Sequence, residues 1–169
     1  MSGRQVKVPG GIIRPAMDRM RESIFAVLGD LSGSSFLDFF SGSGIIALEA
    51  ASRGATYIEA VENDPLKRKT LLENVKISPV RINCRFISAE LYVKRAKRAF
   101  SHIFCDPPFP YKYKWELADA IASSPLMTEG SLLIIHHPRE DTCALSSSRL
   151  ALKDSREFGR SIIKFFTFF

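Results

Sequence analysis

The sequence predicts an α/β fold: a mostly parallel sheet of seven strands, helices on both faces, and an antiparallel hairpin at the carboxyl end. Three observations carry this. Apolar, strand-like runs alternate with segments of helical period between residues 36 and 136, and such alternation builds β-α-β units. The first strand runs into a glycine turn that opens a helix. From Leu150 onward the style changes to two long strand-like runs around Gly159, which read as a hairpin.

Each element follows from local chemistry. Residues 1–13, with Pro9, Gly10 and Gly11, read as an extended arm. In Pro15–Leu28, the residues Met17, Met20, Ile24, Val27 and Leu28 form one apolar stripe, so this is a helix with Pro15 in its first turn and Gly29 as its stop. Phe36–Phe40 is a strand, and a helix follows over Ile45–Ser52. Thr56–Glu62 is the next strand. Asp64 before Pro65 is a helix start, a capping carboxylate ahead of a proline whose φ is already helical. Strands at Ile82–Ile87, Ser101–Cys105 and Ser131–His136 alternate with helices at Ala89–Arg98 and Lys112–Ala122. Leu150–Arg156 and Ser161–Phe168 form the hairpin around Glu157–Arg160.

Composition narrows the class. The chain has 169 residues, of which 46% are hydrophobic and 25% charged. These values fit one globular domain over 1–169 and exclude a disordered or coiled-coil protein. No apolar run reaches the ~18 residues of a membrane span, and the basic start lacks an apolar signal core. Cys84, Cys105 and Cys143 are too scattered for a zinc site or disulfide framework. They read as buried free thiols in a cytoplasmic protein. Net charge is +6. Its distribution says more: basic residues cluster at Lys67–Lys69, at Lys94–Arg98 and near the start, which favours a nucleic-acid partner over a merely solvated face.

Ligands in such sheets bind beyond the carboxyl ends of the strands, where strand order reverses. Asp38 lies at the end of the first strand, ahead of Ser41, Gly42 and Gly44. Glycine lets the backbone turn tightly and approach a ligand, and N–H groups at the helix start can face it. Glu62 ends the next strand, where an acid accepts hydrogen bonds from ribose hydroxyls. The pair points to a ribose-bearing cofactor. NAD and S-adenosylmethionine both remain open at this point, and Asp38 tilts toward the second, whose methionine part is cationic.

Asp106-Pro107-Pro108-Phe109 follows the fourth strand. Two prolines stiffen the loop and remove two donors. A carboxylate, free carbonyls and an aromatic ring remain. That set suits a planar base with an exocyclic amine: Asp106 and the Pro107 carbonyl accept its N–H groups, and Phe109 stacks on the ring.

Taken together, these residues resemble the RsmD type of class I S-adenosylmethionine-dependent methyltransferases, with their Rossmann-like sheet. The matching segments are Arg14–Phe25, Leu37–Ala55, Val61–Asp64, Asp106–Phe109 and Glu157–Phe166. The resemblance implies methylation of the N2 amine of a guanine in small-subunit (16S) ribosomal RNA, flipped into the DPPF pocket, within an assembling subunit and by a monomer. It implies that Asp38, Ser41, Gly42 and Gly44 line the methionine part of the cofactor, that Glu62 holds the ribose, and that Asn63 lies by the adenine. Arg14, Asp18 and Arg19 would close the arm over the site, and Asp106, Pro107, Pro108 and Phe109 would hold the base. Ala16 stands where the family has Thr. Ser88, followed by Ala89, stands where the family offers Asp or Asn to the adenine amine.

The alternatives are an adenine-N6 methyltransferase, since DPPF serves either amine, a catalytically silent RNA-binding protein, and a nicotinamide dehydrogenase, which leaves DPPF unexplained. His136 and His137 end a strand with side chains on opposite faces. No metal is expected there, and they read as a polar border to the RNA site.

Overall fold

A computed structural model describes residues 5–7 and 15–169. Its seven strands form one sheet in the order β3-β2-β1-β4-β5-β7-β6. The strands are β1 (Ser35–Phe39), β2 (Tyr57–Val61), β3 (Ile82–Arg85), β4 (His102–Cys105), β5 (Leu132–Pro138), β6 (Leu150–Phe158) and β7 (Ser161–Phe168). The first five pair in parallel. β7 is antiparallel to both β5 and β6. The chain runs outward through β1, β2 and β3, then crosses back to β4, so strand order reverses between β1 and β4.

The helices are α1 (Pro15–Leu28), α2 (Ile45–Ser52), α3 (Arg68–Asn74), α4 (Ala89–Lys94) and α5 (Lys114–Ala122). Side-chain alternation along the strands separates two cores. Phe36, Ile58, Ala60, Phe104 and Ile134 pack under α1, α2 and α3. Leu37, Phe39, Val61, Ile103, Leu133 and Ile135 pack under α4 and α5. Phe25, Phe36, Phe39, Phe100, Phe104 and Phe165 are all fully buried, each worth roughly 1.5–3 kcal/mol of transfer free energy. No helix among the described residues is long and apolar enough to cross a membrane.

The expected elements are present with shifted ends. The first helix matches in full, and Gly29 stops it at φ 68 with its N–H on the Phe25 carbonyl. Its stripe is rotated, however. Phe25 is buried beside Met20 and Ile24, whereas Met17 is exposed. Asp64 caps a short 3-10 turn, Pro65–Lys67, through its bond from the Leu66 N–H, and α3 starts only after that turn. The helix expected to reach Arg98 ends at Lys94. Beyond it, Phe100 is drawn into the core and its N–H bonds the Leu126 carbonyl, which pulls the chain toward β4. The thiols are not all buried: Cys105 is, Cys84 is half-buried and Cys143 is exposed.

Candidate active site

The strand alternation places the chemistry. Asp38, Glu62, Asp106 and His136 each stand two residues beyond a side chain in the α1–α2–α3 core, namely Phe36, Ala60, Phe104 and Ile134. All four therefore emerge on one side of the sheet at its carboxyl edge. They line one cavity of about 1110 Å³, together with Asp18, Ser41, Gly42, Asn63, Ser88, Ala89, Pro107, Pro108 and Phe109. That volume exceeds the ~300–1,000 Å³ of a site for one small ligand. Among the expected residues, Arg14 lies outside the described residues and Gly44 does not line the cavity. Arg19 is exposed on α1, and Asp18 is paired with Arg21 at 3.1 Å.

Asp38 is 1% exposed. Burial raises its carboxyl to about 7, against the lowering pull of the Ser41 hydroxyl, which donates at 2.6 Å. Asp106 and Glu62 raise it further. Three carboxylates thus converge on one cavity, an arrangement that a cationic ligand relieves and an anionic one aggravates.

The glycine turn differs from expectation in what its N–H groups do. Gly42 (φ 58) donates to Glu62 Oε2 at 2.7 Å, and Gly44 donates to the Ser41 carbonyl at 2.9 Å. The Ala47 backbone bonds Asp38. These three donors are spent within the protein and are not free to face a phosphate. Gly44 itself is required by conformation and packing. At φ 81, a Cβ there would stand 2.7 Å from Leu71 Cδ1 on α3.

Glu62 is buried, and its other oxygen accepts from the Asp64 N–H at 2.9 Å. Two backbone bonds fix the carboxylate while each oxygen keeps lone-pair capacity for a hydroxyl. Ser88 caps α4 by accepting from the Leu91 N–H at 3.2 Å, and its side chain also bonds Glu90. The residues around the cavity suit S-adenosylmethionine, with acids for its cationic methionine part and a fixed carboxylate for its ribose.

Asp106 follows β4 directly across from the end of β1, its N–H reaching the Phe39 carbonyl at 3.4 Å. His136 Nδ1 lies 2.6 Å from Asp106 Oδ1, and the His136 ring stands edge-on to Phe109 at 5.5 Å. A carboxylate only accepts, so Nδ1 carries the proton and donates. His137 points to the opposite face, against Trp115 at 5.0 Å.

Sequence reasoning placed His136 near the site but missed this bond. It also missed three supports of the DPPF loop. Lys114 is buried and donates to the carbonyls of Phe109 at 3.0 Å and Tyr111 at 2.5 Å, while pairing with Asp141 at 2.8 Å. Tyr111 bonds Glu90 and packs edge-on against Phe40 at 5.3 Å. Phe40 holds φ 58, the left-handed region that non-glycine residues rarely enter. A stiff double proline after a strand was the available signal for a propped loop. The propping residues themselves carry no motif.

A family model described as "Conserved hypothetical protein 95" matches residues 1–167. The Bacillus subtilis (strain 168) protein named "Putative rRNA methyltransferase YlbH" is 31% identical over 150 residues, covering 82% of this chain and 79% of that protein. The Escherichia coli (strain K12) protein named "Ribosomal RNA small subunit methyltransferase D" is 33% identical over 111 residues, 63% of this chain and 56% of that protein. Among solved structures, a hypothetical protein of Thermus thermophilus is 29% identical with a TM-score of 0.80, covering 96% of this chain and 92% of that one.

Proposed function

The chain belongs to this family, the RsmD-type S-adenosylmethionine-dependent RNA methyltransferases, and from that premise we propose that it methylates the exocyclic N2 amine of a guanine in small-subunit ribosomal RNA. The observation that carries this reading is the shared cavity. Asp106 with its two prolines opens onto the same space as Asp38 and Glu62, so an amine and a methyl donor can meet there.

In this reading Asp38, Ser41 and Gly42 hold the methionine part of S-adenosylmethionine, and Gly44 shapes the turn that presents them. Glu62 accepts from the ribose, while Asn63, Ser88 and Ala89 border the adenine. Asp18 borders the cavity from α1, and Arg14, outside the described residues, is read as closing the arm over the site. When bound, the cofactor supplies a methyl group already activated by a sulfonium. The protein's task is position. The target guanine leaves its stack to enter the cavity, Phe109 packs on its face, and Asp106 and the Pro107 carbonyl accept its two N–H groups, with Pro108 stiffening the loop. Holding amine and donor in line is worth up to ~7–11 kcal/mol. No strong general base is required, because the methylated amine loses its proton readily after transfer. The reading includes a small-subunit particle as substrate, a cytoplasmic location and a monomeric enzyme.

The test is transfer of labelled methyl to unmethylated small subunits, naked small-subunit RNA and duplex DNA, followed by digestion to nucleosides. N2-methylguanosine from the ribosomal substrates is the expected product. N6-methyladenine would replace this reading with the adenine one, and cofactor binding without transfer to any substrate would replace it with the silent binder.

A further inference from the structure

The basic run Lys94-Arg95-Ala96-Lys97-Arg98 lies at the opposite end of the sheet from the methyl-transfer cavity. The chain leaves the cavity edge at Ser88, descends through α4, and reaches the amino ends of the strands, where Arg98 lies 3.6 Å over the ring of Tyr57, the first residue of β2. Tyr57 and Glu62 are five residues apart on one extended strand, roughly 16 Å at ~3.3 Å per residue. That is twice the ~8 Å over which charges act at physiological salt. Arg98, at the far end of the cluster, therefore stands about two screening lengths from the Glu62 end of the cavity.

The cluster is nevertheless built to hold something anionic. Lys94, Arg95, Lys97 and Arg98 are all exposed, and no side chain among the four donates to a carboxylate or carbonyl of the described residues. Several cations elsewhere, Lys7, Arg21, Arg53, Lys67, Arg85 and Arg139 among them, pair with an acid, and what sets this run apart is that four unpaired cations fall within five residues. Four like charges within five residues repel one another, and a polyanion relieves that repulsion. Arg98 is also held in place. The Tyr57 hydroxyl donates to Glu59 at 2.6 Å, which fixes the ring under the guanidinium. Arg81, exposed and also without an ion pair among the described residues, stands one residue before the Ile58–Ile82 register pair and extends the patch onto β3.

We propose that the Lys94–Arg98 cluster is a second RNA-contact surface, gripping phosphates of a segment remote from the target nucleotide, so that the protein spans its substrate from both ends of the sheet. The proposal rests on the RNA-substrate reading and adds that a large folded RNA is preferred over a short strand.

The experiment compares wild type with K94Q/R95Q/K97Q/R98Q, and with K94Q/R95Q/K97Q, which keeps the Arg98–Tyr57 stack. Thermal melting checks that each variant is folded. With full-length small-subunit RNA, binding is titrated against salt. Loss of about three phosphate contacts removes roughly two units of log–log slope, at ~0.7 per contact. Methyl transfer is then measured on the same RNA and on a short single-stranded fragment carrying the target. The expected result is a higher KM on the full-length RNA and an unchanged kcat/KM on the fragment. An unchanged salt slope overturns the proposal, and so does an equal loss on both RNAs. A loss seen only with the ribonucleoprotein particle, and not with naked RNA, would assign the surface to a protein partner instead. If wild type methylates neither naked RNA, transfer is measured on small-subunit particles; absence of transfer there too fails the functional reading, while the salt titration still decides whether this surface contacts phosphates.

Discussion

His136 Nδ1 sits 2.6 Å from Asp106 Oδ1, tying the end of β5 to the loop that follows β4. The bond fixes one carboxylate oxygen and leaves the other for an incoming amine. His136 Nε2 is buried without a partner among the described residues, so this contact accounts for the ring's polar bonding. His136→Ala should lower kcat by roughly 10- to 100-fold, the equivalent of one hydrogen bond to a charged group. His136→Asn, whose amide N–H stands where Nδ1–H stood, should restore most of the rate, and His136→Gln should not. Steady-state kinetics, with cofactor affinity measured alongside, checks this. Equal kcat for Ala and wild type, or a loss that Asn fails to rescue, would remove the positioning role.

Asp38 makes the ligand-free protein sensitive to pH. Its folded value of about 7 lies above the ordinary aspartate value. The protonated form therefore stabilises the fold fully below about pH 4, and that contribution disappears as pH rises through about 7. The effect is on the order of 4 kcal/mol at most. The melting temperature of the free protein should fall across this range, and Asp38→Asn should flatten the fall. Cofactor binding has the opposite sign. A cationic ligand prefers ionised Asp38, so the dissociation constant should tighten as pH approaches 7 and level off above it. Affinity that weakens over that range would contradict the assignment.

Lys114 tests whether the DPPF loop needs its prop. Its ammonium holds two loop carbonyls and Asp141 from a buried position. Lys114→Met should cost about 2–3 kcal/mol, because hydrogen bonds to a charged group are lost and their acceptors are stranded. Denaturant unfolding reads that loss. KM for RNA should rise while cofactor affinity stays near wild type, since the glycine turn is untouched.

How much of this was legible in the sequence depends on the distance over which each feature is determined. Asp38, Glu62 and Asp106 could be placed because each stands at or just past the end of its own strand, and a two-residue period decides its face. The Gly42–Gly44 turn was legible as a turn but not in its bonding. That the Gly42 N–H goes to Glu62 depends on β1 and β2 being neighbours. The Asp106–His136 bond likewise needs β4 beside β5 in register. The basic run after α4 was legible as a charged cluster but not in its position, because only the direction of the helix tells which end of the sheet it reaches. Phe40 at φ 58 has no sequence signal at all, since the type of residue argues against that conformation.

The central claim is that one cavity performs two separable tasks, holding the cofactor at Glu62 and the amine at Asp106. Measuring the cofactor dissociation constant and methyl transfer side by side on Glu62→Ala and Asp106→Ala tests it most directly. The account predicts that Asp106→Ala abolishes transfer with cofactor affinity nearly unchanged. It predicts that Glu62→Ala weakens cofactor binding by roughly 10- to 100-fold, and that saturating cofactor recovers transfer. If both variants lose both properties together, or if Asp106→Ala still transfers methyl groups, the division of labour in this cavity is wrong.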